Sequence, residues 1–154
     1  MIKSLIEQVR EAISATQADA GDADRDSAIR LATAVLMVDV ARADNEFDET
    51  EFQAVLDLIA ERFRLSGEDA VRLANSADER AEELVSVHEF TQLLHKNLDE
   101  TEKADVVRLL WEVAYADGRL DKFEDSLVLK ISDLLHVNRG AVMRLKHDAA
   151  SAAN

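Results

Sequence analysis

The sequence predicts an all-α domain of about eight helices, and two features of the chain favour this fold class. There is no proline among the 154 residues, and there are only 4 glycines. Average usage would give a chain of this length about 7–8 prolines. Turn-rich β folds and proline-rich linkers are therefore disfavoured. The second feature is that apolar residues recur at helical spacing through most of the chain.

The N-terminal part of the chain is predicted to precede the main domain. Residues 1–16 form an amphipathic pattern with apolar residues at Ile2, Leu5, Ile6, Val9 and Ile13. Residues 17–27 have no large apolar side chain and are rich in aspartate. We expect this segment to be a flexible acidic linker. The helical domain then extends over residues 28–150 and begins with a long, largely buried helix that ends near residue 43.

Later helices are predicted from their first residues. Five segments begin with a residue that can cap a helix and carry an acid three residues later, which is the spacing of a capping box. These segments are Asp48–Glu51, Ser66–Asp69, Ser86–Glu89, Asp99–Glu102 and Asp121–Glu124. A last helix is expected to begin near Asn138. The helix starts are therefore better defined by the sequence than the helix ends.

An internal repeat is the most informative feature of the sequence. Val38–Leu56 aligns without a gap against Trp111–Leu129, and the two segments share the pattern V-A-x-A-D. Two copies are too few for a solenoid. We therefore expect two related half-domains, over about 28–73 and 100–146, packed about a pseudo-twofold axis. The alanines of the shared pattern would permit close approach of helices.

Composition excludes several classes of function. With 32 acidic and 18 basic residues the formal net charge is -14, which disfavours nucleic-acid binding and anionic membrane surfaces. There is no cysteine, so disulfides, thiolate catalysis and cysteine-ligated metals are excluded. No apolar run reaches the roughly 20 residues of a membrane span. No common catalytic motif is present. These observations indicate a cytoplasmic protein that is not an enzyme.

The doubled motif resembles the tellurite resistance protein TerB family. The resemblance is carried by A-D-[NG]-x-[FL]-D-x-x-E, which occurs twice, and by L-L-W-E-V-A-Y-A-D-G at Leu109–Gly118. The segment His88–Leu94 is similar to the connecting region of stand-alone TerB-like proteins. This resemblance implies an all-α, internally duplicated fold with acids grouped on one surface. It also extends to the N-terminal region of a membrane-anchored DnaJ-type co-chaperone, but the J-domain and anchor have no counterpart here, so that activity is not carried over.

The acids of the repeat have two possible roles. Asp48, Glu51, Asp121 and Glu124 have the spacing of helix caps, and this structural role is expected for them. Asp44 and Asp117 follow helix ends, where the helix dipole disfavours an anion, so a compensating partner is expected there. Such a partner could be loop amides, a basic side chain or a bound cation. The candidate metal ligands are Asp39, Asp44, Asp48, Glu51, Glu112, Asp117, Asp121 and Glu124.

Oxygen ligands of this kind suit Ca²⁺ or Mg²⁺. The acidic turns do not form an EF-hand, because position six of the first loop is Glu49 rather than glycine, and position twelve is Val55 and Val128 in the two copies. The four histidines have no spacing that would place a zinc pair on one helix. Any cation site therefore has to draw acids from both halves.

The sequence thus predicts a non-enzymatic interaction module whose acidic surface engages a protein partner, with a cation as a bridge. The resemblance implies a role in tellurite or other chemical stress. The alternative is a small protein that binds a divalent cation or a metalloid through its paired acidic turns. The sequence does not identify the partner or the oligomeric state.

Overall fold

The computed structural model describes residues 22–43, 49–82, 87–116 and 120–153, and in these ranges every regular element is an α-helix. The all-α fold class is therefore confirmed. Seven helices are described, and the predicted helix over residues 1–16 lies outside the described residues. The helices are α1 (Asp22–Ala41), α2 (Glu49–Phe63), α3 (Gly67–Glu82), α4 (His88–Asn97), α5 (Glu100–Ala114), α6 (Lys122–Leu134) and α7 (Arg139–Ala153).

The prediction of a flexible linker over residues 17–27 was wrong for its second part. Helix α1 begins at Asp22, so residues 22–27 belong to its first turns. The sequence there is Asp-Ala-Asp-Arg-Asp-Ser, which lacks large apolar residues but suits a helix start. Aspartates are favoured at a helix N-terminus by the helix dipole, and alanine has the highest helix propensity. Residues 17–21 lie outside the described part of the chain.

Three of the predicted helix starts have the expected capping bonds. The Asp69 amide donates to Ser66 Oγ at 3.2 Å. At the start of α5, the Glu102 amide donates to Asp99 while the Asp99 amide donates to the Glu102 carboxylate, which completes a capping box. Asp121 accepts from the Phe123 amide at 2.7 Å. These side chains satisfy amides that no helical carbonyl can reach.

The predicted start at Ser86 needs a correction. The N-cap of α4 is Val87, whose side chain makes no capping bond, and Ser86 lies outside the described residues. Val87 is only 4% exposed. Burial of this apolar side chain in the core therefore fixes the start of α4, without a polar cap.

Helix α1 is the centre of the fold. It packs against α2, α3, α4, α5 and α6. Seven consecutive residues, 32–38, are buried. A helix that is apolar on all sides has to be surrounded by other helices. Thr33 is the polar residue in this run. Its hydroxyl donates to the Ile29 carbonyl at 2.8 Å, so the buried hydroxyl group has a hydrogen-bond acceptor.

Helix α5 provides the second part of the core and packs against α1, α2, α6 and α7. Trp111 is fully buried, and its indole N–H donates to the Val142 carbonyl at 3.1 Å. Lys146 of α7 lies over the indole at 5.3 Å and pairs with Asp125 of α6 at 2.7 Å. Trp111 thus joins α5 to α7.

The ends of α2 and α6 share a conformation. Arg64 and His136 both adopt positive φ, of 53° and 61°. Immediately afterwards, the Leu65 amide donates to the Ala60 carbonyl and the Val137 amide to the Ser132 carbonyl, each at 3.1 Å. This is the bond of a Schellman motif. The next residue in each copy, Ser66 and then Asn138, caps the following helix. These positions align in the sequence repeat, although the duplication as such stays a prediction.

Candidate functional site

A small cavity lies where α1, α2, α5 and α6 meet, and a glutamate from each repeat copy lines it. The lining residues are Ala41, Glu51, Val113, Ala114, Ala116 and Glu124. Two pairs among them are equivalent in the sequence repeat: Ala41 with Ala114, and Glu51 with Glu124. Glu51 and Glu124 therefore line a common space, and the rest of the lining that the structure describes is alanine and valine.

Local structure explains how each glutamate reaches the cavity. Glu51 lies in the first turn of α2, and Glu124 in the first turn of α6. An acidic side chain in the first turn is stabilised by the helix dipole. Alanines at the ends of α1 and α5 leave room beside these turns, because they carry no side chain beyond Cβ. Glu124 is only 5% exposed, so its carboxylate is held inside the fold rather than in solvent.

Asp121 acts as a helix cap. Its carboxylate accepts the Phe123 amide bond and so fixes the first turn of α6, which carries Glu124. This confirms the structural role expected for Asp121. Asp48, which is predicted to cap α2, lies outside the described residues, and so do Asp44 and Asp117. Their role as metal ligands stays a prediction.

Asp39 and Glu112 are not among the residues that line the cavity. Glu112 accepts from Arg108 Nη1 at 3.0 Å. Arg108 also binds Asp105, and this hydrogen bond is the main reason that the pKa of Arg108 is raised, against the opposing effect of burial. Glu112 is therefore neutralised by a basic residue one turn earlier on the same helix.

Asp39 has different surroundings from its repeat equivalent. Burial raises the pKa of Asp39 above its ordinary value, and the positive charges of Arg42 and Lys130 act in the opposite direction. Desolvation is the larger effect, so the folded protein favours the protonated form of this carboxyl more than the unfolded chain does.

The described part of the chain contains no group of three or more histidine, aspartate or glutamate side chains arranged to hold a metal ion. Glu51 and Glu124 are the two predicted ligands that the structure brings to one place.

Sequence reasoning did not anticipate which residues line the cavity beside the glutamates. The V-A-x-A-D pattern indicated close helix approach, and Ala41, Ala114 and Ala116 belong to it. It did not show that these alanines leave a cavity. Sequence reasoning also missed a contact between His95 and His136, whose ring centroids are 4.3 Å apart, because His95 lies on α4 and His136 lies in the turn that follows α6.

Comparison with known proteins identifies the family. In the ranges that the structure covers, no helix is long and apolar enough to span a membrane. Neither a curated protein nor a solved structure matches the chain. The family model described as tellurite resistance protein TerB matches residues 30–147, which include all of α2 to α6 and most of α1 and α7. The chain therefore belongs to the TerB family.

Proposed function

We propose that this TerB-family chain is a non-enzymatic interaction module whose acidic surface, centred on the cavity between α1, α2, α5 and α6, engages a protein partner. The observation that carries this proposal is that Glu51 and Glu124, from different copies of the repeat, line the same cavity. Ionised carboxylates that lie close together are stabilised by a nearby positive group.

A basic segment of a partner protein would supply such a group. The formal net charge of -14 produces a negative field that attracts a positively charged partner. A lysine or arginine side chain of the partner could pair with the acids of this surface, or a cation could bridge the acidic surface and the partner. Two other acids of the repeat have structural roles, because Asp121 caps α6 and Glu112 is paired with Arg108. These roles favour an interaction module over a catalytic one. Neither residue is placed as a general acid or base.

The family supplies the biological setting of the proposal. Its name points to tellurite resistance, so we propose that the module acts in the response to tellurite or related chemical stress. We also propose a cytoplasmic location, because the chain has no cysteine and so needs no oxidising compartment.

The test is binding of a fluorescent peptide of alternating lysine and alanine, measured by anisotropy. We expect Glu51→Gln/Glu124→Gln to weaken binding by about tenfold, and the affinity of the wild type to fall as NaCl is raised. The control is Glu61→Gln/Glu79→Gln, which changes the net charge by the same amount at exposed positions. Equal loss in the two double variants, or binding that salt does not change, would contradict the proposal.

The same cavity favours a second function, namely a small protein that binds a divalent cation or a metalloid. Carboxylate oxygens are the ligands that Ca²⁺ and Mg²⁺ prefer. Under this alternative, Glu51 and Glu124 supply two ligands of the ion. Asp44, Asp48 and Asp117 supply others. The remaining predicted ligands, Asp39, Glu112 and Asp121, are not part of this ligand set. Isothermal titration with Ca²⁺ and Mg²⁺ tests it: one saturable site per chain, lost in Glu51→Gln/Glu124→Gln, is expected. The absence of heat in the wild type would refute it.

A further inference from the structure

Three basic side chains meet where the end of α4, the start of α5 and the end of α6 come together. Lys103 Nζ lies 2.7 Å from His95 Nδ1. The ring of His95 in turn lies against the ring of His136, with 4.3 Å between the centroids and 39° between the planes. Lys103 is only 4% exposed, which is unusual for a lysine. We refer to His95, Lys103 and His136 as the histidine–lysine cluster.

The short contact defines the protonation state of His95. A lysine ammonium group has three donors and no acceptor, so Nδ1 of His95 must be the acceptor. This requires a neutral imidazole with its proton on Nε2. The buried ammonium group of Lys103 therefore depends on a neutral His95 for its hydrogen bond.

The charged groups around the cluster do not replace this hydrogen bond. The acid paired with Lys103 is Glu100, at 3.5 Å, and the Glu100 side chain is 80% exposed, so solvent screens the pair. Glu102 of the same helix is held by the Asp99 amide. On α4, the neighbouring Lys96 adds a positive charge.

The charged groups of the other packed helices are engaged elsewhere. Asp133, near the end of α6, binds Arg139 of α7 through both carboxylate oxygens. On α1, which packs against α4, α5 and α6, Asp39 lies near Arg42 and near Lys130 of α6. Protonation of His95 would therefore add a positive charge beside Lys103. The carboxylate paired with Lys103, that of Glu100, is exposed to solvent.

We propose that the histidine–lysine cluster is a proton-sensitive latch that holds the end of α4 against α5 and α6. When His95 is neutral, it accepts from Lys103 and the latch is closed. When Nδ1 of His95 takes up a proton, an N–H replaces the lone pair and points at the ammonium group. The hydrogen bond is then lost, and the buried cation of Lys103 has a second cation beside it.

The direction of the pH effect follows from this chemistry. Histidine changes its charge between about pH 5 and 8. The latch stabilises the fold above this range, and its contribution is lost as the pH falls through it. The C-termini of α4 and α6 attract a protonated imidazole through the helix dipole, but this attraction does not restore the acceptor that Lys103 loses. A fall in pH also lowers the net negative charge, and matched variants separate this general effect from the latch.

The test compares the unfolding equilibrium constant in urea at pH 7.5 and pH 5.5. His95→Asn places an amide oxygen near the position of Nδ1 and does not titrate, whereas Lys103→Met keeps an unbranched side chain and removes the buried charge. We expect acidification to raise the unfolding constant of the wild type about tenfold more than that of either variant, since a buried donor loses its partner. His147→Asn, at an exposed position of α7, is the control and should behave as the wild type does.

A measurement on the wild type alone keeps the proposal testable if a variant does not fold. Nitrogen-15 NMR of the imidazole groups reports which ring nitrogen carries the proton. We expect the Nε2–H tautomer for His95 at pH 7.5. An Nδ1–H tautomer, or an equal response to pH in the wild type, His95→Asn and Lys103→Met, would overturn the latch.

Discussion

Asp39 and Glu112 occupy equivalent positions of the sequence repeat, but their surroundings in the fold differ. Glu112 is half-buried and paired with Arg108. Asp39 lies where desolvation has a larger effect on its pKa than the nearby positive charges of Arg42 and Lys130. The repeat therefore places an acid at each position, while the neighbouring helices determine the free-energy cost of ionising that acid.

Glu51 and Glu124 show the opposite relationship. They too are equivalent in the repeat, yet they line one shared cavity. The equivalent residues Asp39 and Glu112, further back along α1 and α5, do not line that cavity. The difference identifies the first turns of α2 and α6 as the part of the repeat in which a shared site can form.

The largest expected effect on stability concerns Val38 and Trp111, the core residues that directly precede Asp39 and Glu112 in the sequence. Trp111→Ala should lower the free energy of unfolding by about 3–5 kcal/mol, because it leaves a cavity and removes the donor to the Val142 carbonyl. Val38→Ala, at the equivalent buried position, should cost about 2 kcal/mol. Urea unfolding followed by circular dichroism measures both. Equal losses would mean that α5 is no more dependent on its large side chain than α1.

The caps that follow α2 and α6 should give a smaller difference. Asn138 accepts from the Gly140 and Ala141 amides, at 2.8 and 3.4 Å, whereas Ser66 accepts from the Asp69 amide at 3.2 Å. Asn138→Ala should therefore cost about 1–2 kcal/mol and Ser66→Ala about 0.5–1 kcal/mol. The same unfolding experiment measures them. A larger loss for Ser66→Ala would contradict the ranking by hydrogen bonds.

The smallest effects are expected at Asp39 and Glu112 themselves. Glu112→Gln should cost about 0.5 kcal/mol at neutral pH, since it breaks a partly exposed ion pair between residues four apart. Asp39→Asn should cause no loss at pH 7 and should raise the thermal midpoint, because it removes a charge that burial disfavours.

The pH dependence of Asp39→Asn follows from the direction in which folding shifts the pKa of Asp39. A carboxyl whose pKa is raised on folding binds its proton in the folded state at a higher pH than in the unfolded chain. The stability that this group contributes is therefore present at low pH and is lost as the pH rises through its folded pKa. The advantage of Asp39→Asn over the wild type should shrink as the pH is lowered from 7 towards 4.5. A constant advantage would mean that Asp39 does not titrate differently on folding.

Much of the fold could be predicted from the sequence because its signals are local. Cap residues such as Ser66 and Asp99 define helix starts through bonds within three residues of each other. The start of α4 was missed by one residue because burial of Val87, a tertiary effect, determines it. The linker prediction failed at Asp22 because a polar first turn and a linker have the same composition.

The candidate site was harder to predict because it depends on how helices meet. The repeat marked Glu51 and Glu124 as equivalent, but alignment alone does not show that equivalent residues face the same cavity. The contact between His95 and His136 had no sequence signal, since a spacing rule tests residues on one helix. It depends on the left-handed backbone at His136, which ends α6 beside α4.

We propose that Glu51 and Glu124 act together at one site. The most direct test is the affinity for the lysine–alanine peptide, measured by anisotropy, of the wild type, Glu51→Gln, Glu124→Gln and the exposed control Glu61→Gln. We expect either single substitution at the cavity to weaken binding, and Glu61→Gln to bind the peptide as the wild type does. Equal affinities in all four proteins would contradict a shared site.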